Sequence, residues 1–242
     1  MFHWRSDESG VRRAFTSRSG GVSKGVYAGL NLGAHVADDP LAVDENRRRL
    51  AVALGVAPDR LAFMNQCHGA DVAIVETPTA ATELAPAVDG IITTRPDVAL
   101  VVLVADCVPI LLHSADGSVL AAAHAGRQGM MKGVVPQVVS RMRSLGAGDI
   151  RAMVGPSVCG RCYEVPAELR DEAADISPES RTVSWTGTPA IDVAAGVVAQ
   201  LRGLDIAVEW VPGCSREDPA LFSHRRDGVT GRFAGVIVGG SA

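Results

Sequence analysis

Aromatic side chains are scarce: three Trp, two Tyr and five Phe make up 4% of 242 residues. The core must therefore be built from Val, Leu, Ala and Ile. A basic excess is also missing. The 23 Lys and Arg against 27 Asp and Glu leave a net charge of −4, which excludes a general nucleic-acid binder, since that needs a broad basic surface. Small Arg clusters remain as candidate anion sites. No apolar h-region follows "MFHWRSDESG", so no signal peptide is expected. The longest near-apolar stretch, Val98 to Leu112, is broken by Asp106 and is too short to span a bilayer. The five cysteines are an odd number and give no disulfide scaffold. The expectation is a cytoplasmic protein with reduced thiols. Apolar residues are 47% of the chain and charged ones 21%, so a sizeable core is expected and disorder is not. With no repeat, low-complexity tract or linker, 1–242 reads as a single domain.

What is present alternates strand and helix signals. Residues 1–35 read as short strands and Gly-rich turns. "DDPLAVDENRRRLAVALGV" reads as a helix capped by Asp39, opened by Pro40 and stopped by Gly55, with Leu41, Val43, Leu50 and Leu54 apolar. "RLAFMNQCHGADVAIVE" reads as two short strands around a break, and "VDGIITTRPDVALVVLVADC" as a turn and one strong strand. Helices are expected over Gly133 to Leu145, after Pro166, and after Asp192. "IRAMVGP", "IAVEWVPG" and "GRFAGVIVG" read as strands. The frequent hairpins predict a mixed-sheet α/β or α+β domain.

"LVADCVPILL" poses the functional question, because a buried carboxylate is costly unless partnered, yet Asp106 and Cys107 interrupt a core strand. Asp116-Gly117 is a strong two-residue hairpin signal. A turn there sets Pro109 opposite His124, and Cys107 shares the face of Pro109. Cys107 and His124 become diagonal neighbours, roughly 7–8 Å apart. Thiolate and imidazole suit zinc, and copper as well. The break "NQCHGAD" offers Cys67 or His68 as a third donor, and the candidate set is His68, Cys107 and His124. Three ligands with an open position is the catalytic pattern. The competing reading is an inert core cysteine and a packed histidine.

The blocks "NLGAHVADDPLAVDENRRRL", "NQCHGADV", "DGIITT", "LVADCVPILL", "AAAHAG", "VGPSVCGRCYEV" and "FSHRRDGVTGRFAGVI" occur together and in order. They resemble the laccase-domain family, also called polyphenol oxidase-like, purine nucleoside phosphorylase-like or peptidoglycan editing factor, from about residue 14 to 238. The resemblance implies a single-domain sandwich of mixed sheets with outer helices. It also implies a metal site matching His68, Cys107 and His124. The activities it implies are phosphorolysis of adenosine, inosine and methylthioadenosine, and deamination of adenosine. It further brings an older description as copper laccases and a link to correcting cell-wall precursors. The sequence departs from the family at "HAGRQGM", where Arg127 and Gln128 replace a Trp-Arg pair, leaving Arg127 to substitute for the family Arg. Cys67 replaces a common Val and reads as a packing residue.

Asp106 is either a proton carrier for deamination or a brace for its loop, and Glu164 in "CYEV" is the other carboxylate. For phosphorolysis, Arg47 is the candidate phosphate ligand, with Asn31 and Ser17 as hydrogen-bonding partners of sugar or phosphate. At least one of Arg47–Arg49 belongs to a solvated helix face, and "SHRRDG" is an anion contact or a charged turn. The partners expected are a purine nucleoside and phosphate, with no nucleic acid and no membrane. The rival readings are a metal-free hydrolase of an amide or ester, with Cys107 as nucleophile and His124 as base, and a copper-dependent polyphenol oxidoreductase. Six scattered histidines disfavour the last, since His3, His35, His113 and His224 lie far along the chain from the trio. "CGRC", Cys159 to Cys162, has the spacing of a redox pair but does not open a helix; a labile disulfide there is the alternative.

Overall fold

A computed structural model describes residues 1–8, 10–78 and 85–240. In chain order the first half holds β1 (Phe2–Glu8), β2 (Val11–Thr16), α1 (Pro40–Leu54), β3 (Leu61–Ala62), β4 (Val72–Ile74), β5 (Gly90–Thr93), β6 (Ala99–Val104), β7 (Val108–Ser114) and β8 (Leu120–Ala125). The second half holds α2 (Arg127–Lys132), α3 (Val134–Ser144), β9 (Ile150–Val154), α4 (Ala167–Ile176), β10 (Arg181–Val183), β11 (Pro189–Ile191), α5 (Val193–Gly203), β12 (Ala207–Trp210), α6 (His224–Asp227) and β13 (Phe233–Gly239). A five-stranded sheet runs β1-β2-β13-β6-β3, and a six-stranded sheet runs β12-β9-β7-β8-β5-β4. Both mix parallel and antiparallel pairs. The result is a mixed α/β sandwich with helices outside, as expected.

The near-continuous apolar strands follow from burial on both faces. In β6, Leu100, Val102 and Val104 face the layer between the sheets with Phe15, Leu111, Met153 and Phe233. Ala99, Val101 and Leu103 face the opposite way, into a cluster with Leu50 and Leu54 of α1. The outer face of the six-stranded sheet is covered by α3 and α5 through Val138, Met142, Val197 and Leu201.

Helix α1 starts where its signals place it. The Asp39 side chain accepts from Leu41 N–H, Pro40 sits in the first turn, and Gly55 closes with φ 70°. Leu41 does not join the core and is 77% exposed. It lies nine residues before Leu50, which at 3.6 residues per turn is half a turn away from the buried stripe.

The β7–β8 hairpin carries the site. Its register pairs Val108 with Ala125 and Pro109 with His124. The connection is not a two-residue turn. The strands end at Ser114 and Leu120, and residues 115–119 form a wider loop. The Asp116 carboxylate closes it by accepting from Ser114 Oγ, Ser118 N–H and Ser118 Oγ. The last pair, His113 with Leu120, still flanks Asp116-Gly117 symmetrically, so the register is unchanged. "DGIITT…VVLV" is two strands rather than a turn and one, because β5 and β6 belong to different sheets. The short helix α2 directly after "HAG" was not expected.

Candidate metal centre

Cys107 directly precedes β7, His124 is the penultimate residue of β8, Asp89 directly precedes β5, and His68 lies in the break before β4. One end of the six-stranded sheet thus gathers all four. The donor atoms of His68, Cys107 and His124 lie within 4.8 Å of one another. Cys107 Sγ is 3.7 Å from His68 Nε2. The two imidazoles meet edge to face, with centroids 4.8 Å apart. Backbone conformation helps bring them there. His68 adopts φ 57°, and a Cβ on Gly126 would come within 2.8 Å of His68 Cδ2 and 3.1 Å of Cys107 Sγ. A side chain at 126 would therefore push the donors apart.

Asp89 is the organiser, and sequence reading passed over it as half of an Asp-Gly turn. It is fully buried. His124 Nδ1–H donates to its Oδ1 at 2.7 Å, which directs His124 Nε2 to the other donors. His68 N–H donates at 3.0 Å and Gly69 N–H at 2.6 Å. Cys67 donates both its N–H and its thiol. One carboxylate thereby fixes His124 and the whole turn that bears His68. Burial pushes its pKa up, but the bonds from His124, Gly69 and Cys67 outweigh that and hold it below the usual carboxylate range. Burial also pushes the Cys107 thiol up, yet the neighbouring His124 and His68 rings bring it down to about 6. Burial pulls His124 down, and Cys107 and Asp89 raise it to about 9. Thiolate and imidazolium stabilise one another when no cation lies between them. A thiolate, two imidazoles and a carboxylate buttress are a donor set that fits zinc or copper.

The trio opens onto a cavity of about 550 Å³. Arg127, Arg225, Arg232, His35, Tyr163 and His224 line it with Asp106. Two of the four histidines judged remote along the chain, His35 and His224, are therefore in its wall, since chain distance is not distance in space. Arg127 stands at the start of α2 and reaches the cavity, while Gln128 is exposed beside a shallower recess with Cys67 and Cys107. Arg225 stacks over the Tyr163 ring at 4.7 Å and donates to the Glu164 carbonyl. Arg232 was missed in the sequence because "TGRF" carries no spacing signal.

The remaining expected site residues divide between the cavity wall, where Asp106 stands, and positions outside it. Asp106, at φ 95°, accepts from Ser215 Oγ, Ser223 Oγ and Arg225 N–H, each at 2.6 Å. It ties the "SHRRDG" turn to the start of β7, which is the brace geometry. Asn31 is fully buried behind the wall, where its Oδ1 accepts from Gly33 N–H and Arg232 N–H. Ser17 is buried and accepts from Ser19 N–H. Arg47 turns inward from α1, donates to the Leu32 carbonyl and stacks on Phe63 at 4.0 Å. None of these three is a cavity-wall residue. Arg48 and Arg49 form the solvated face and pair with Glu45. The Glu164 carboxylate accepts from Thr186 Oγ1, away from the cavity. Cys67 is exposed rather than packed, because residues 65–70 form a loop on which strand alternation does not operate.

Together these features define a mixed α/β sandwich with a Cys-His-His cluster that could hold a metal at the edge of a cavity of small-molecule size. The chain belongs to the family described as multi-copper polyphenol oxidoreductase laccase, which matches residues 12–239. It is 49% identical over 240 residues to a protein of Streptomyces coelicolor named purine nucleoside phosphorylase, covering 98% of this chain and 99% of that one. A Mycobacterium tuberculosis protein of the same name is 47% identical over 232 residues, covering 94% and 91%. The crystal structure of a Neisseria meningitidis protein superposes with a TM-score of 0.85 at 31% identity, covering 98% and 99%. YlmD from Geobacillus stearothermophilus does so with 0.86 at 31%, covering 96% and 93%. Among the described residues, no helix is long and apolar enough to cross a membrane.

Proposed function

We propose that the protein is a cytoplasmic, metal-dependent purine nucleoside phosphorylase acting on adenosine, inosine and methylthioadenosine, with adenosine deamination as a second activity. The observation that carries this reading is the His68–Cys107–His124 cluster set against a cavity with three arginines in its wall. Its volume is in the range of small-molecule sites, and guanidinium groups suit phosphate. The names of the relatives support the purine nucleoside phosphorylase part of this reading.

In phosphorolysis a phosphate oxygen bonds to C1′ of the ribose, the bond from C1′ to the base nitrogen breaks, and the base leaves with a proton. His68, Cys107 and His124 would hold zinc or copper, which would supply a Lewis acid when bound. The chain supplies the rest. Arg232, Arg127 and Arg225 offer charge for the phosphate. Asp89 holds His124 in one tautomer. Asp106 positions Arg225 through its backbone N–H rather than carrying a proton, and Asn31 does the same for Arg232. In this role Asn31, Ser17 and Arg47 support the wall instead of touching the substrate.

The test is purified, metal-loaded protein with adenosine, with and without phosphate. Adenine should form only with phosphate, and inosine in either case. No product under either condition from a fully loaded site would contradict the proposal.

One observation favours a second reading. Cys107, His124 and Asp89 stand in the order nucleophile, base and orienting carboxylate. A metal-free hydrolase of an amide or ester, such as a cell-wall precursor, would use that order. Metal-free protein that keeps hydrolytic activity, and loses it when Cys107 is alkylated, would favour this alternative. Copper-dependent polyphenol oxidation has the family's description behind it. Among the described residues, however, only one donor cluster contains histidine.

A further inference from the structure

A second donor cluster lies outside the cavity. Cys159, Cys162, Cys214 and Glu217 bring their ligand atoms within 4.8 Å of one another. Two reverse turns build it, and they share a Cys-x-Arg start followed by a second donor. "CGRC" closes with Cys162 N–H donating to the Cys159 carbonyl at 2.9 Å. "CSRE" closes with Glu217 N–H donating to the Cys214 carbonyl at 3.1 Å. Each turn sets two donors three residues apart, with an Arg just before the second, Arg161 or Arg216. The turns are docked by a parallel bridge between Ser157 and Cys214.

The contacts inside the cluster point inward. Cys159 N–H is directed at Cys214 Sγ at 3.4 Å. Cys162 is buried, and its Sγ is 3.3 Å from Glu217 Oε1. Trp185 Nε1–H donates to the same oxygen at 3.1 Å and fixes the carboxylate from outside, as outer partners do for metal ligands. Tetrahedral Zn–S bonds of about 2.3 Å separate sulfurs by about 3.8 Å, which this spacing accommodates.

The geometry points to a structural zinc-type divalent cation bound by Cys159, Cys162, Cys214 and Glu217. Four protein donors leave no open position, which is the pattern of a structural site rather than a catalytic one. The ion clips together two loops that both reach Asp106. Val158 N–H donates to the Asp106 carbonyl, and Ser215 Oγ to its carboxylate. One loop continues into Tyr163 and the other toward Arg225, so the clip fixes two walls of the cavity from behind.

The test uses Cys107→Ala, which removes the thiolate of the central trio, so it reads this cluster independently of the proposed activity. The protein is stripped with a chelator under reducing conditions, reloaded with zinc or cobalt(II) alone, and desalted. About one equivalent of zinc should remain, and the cobalt form should show thiolate-to-cobalt charge-transfer absorption. Cys162→Ser on that background should abolish the band. Glu217→Gln, an isosteric change at an exposed position, should keep the fold and weaken zinc binding at least tenfold in chelator competition. Three outcomes would overturn the inference: no retained zinc and no band in Cys107→Ala, a band that survives Cys162→Ser, or two of the three thiols missing from a thiol count because they form a disulfide.

Discussion

Asp89 shows how one buried carboxylate sets up a donor cluster. It accepts from a ring nitrogen, three backbone N–H groups and a thiol. Replacing it with Asn leaves a shape match but puts an amide N–H against some of those donors. Asp89→Asn is predicted to weaken metal binding 10- to 100-fold, the usual cost of losing an outer partner, measured by chelator competition. Gly126→Ala should keep the fold and lose the metal, because its Cβ meets His68 and Cys107; an unchanged metal content would contradict that. The Cys107 thiol also predicts a pH profile. Its pKa is lowered to about 6, so metal-free protein holds a thiolate above that pH. Alkylation of Cys107 should rise with a midpoint near pH 6, where an ordinary thiol needs about 8.5. His124→Ala should move the midpoint back up.

At the scale of elements, the β7–β8 hairpin was the most legible part of the chain. Asp116-Gly117 between two apolar runs was enough to set Pro109 opposite His124, even though the loop is wider than two residues. Helix α1 was readable from its cap, its proline and its terminal glycine. What could not be read had physical reasons. β5 and β6 are both apolar runs, and nothing in either sequence states which sheet it joins. Asp89 and Arg232 reach the site through tertiary packing, and their local sequences look like a turn and a strand start. Asn31 and Ser17 have the right chemistry for a ligand but were carried behind the wall. The hairpin loop has its own pH signature. Hydrogen bonds from Ser114 and Ser118 hold the Asp116 carboxyl at about 2, below the ordinary value of about 3.9. The ionised form is therefore the one the fold favours. Its stabilisation is complete above pH 4 and is lost as pH falls through 2. The Tm gap between wild type and Asp116→Ala should be present at pH 7 and shrink below pH 4.

For the whole molecule, two sheets form a rigid platform and the functional groups sit where their strands end. β7, β8 and the approach to β4 supply the donors and the approach to β5 their buttress, while the 157–163 and 211–232 segments supply the opposite wall. The architecture assigns the sandwich to holding geometry and the loops to chemistry. Metal and nucleoside turnover should therefore depend on the same few side chains. The most direct measurement is metal content and adenosine phosphorolysis on one preparation, for wild type and Cys107→Ala. The expected result is phosphate-dependent adenine release that scales with occupancy of the His68–Cys107–His124 cluster and disappears in Cys107→Ala. Full turnover by the metal-stripped protein, or by Cys107→Ala, would contradict it.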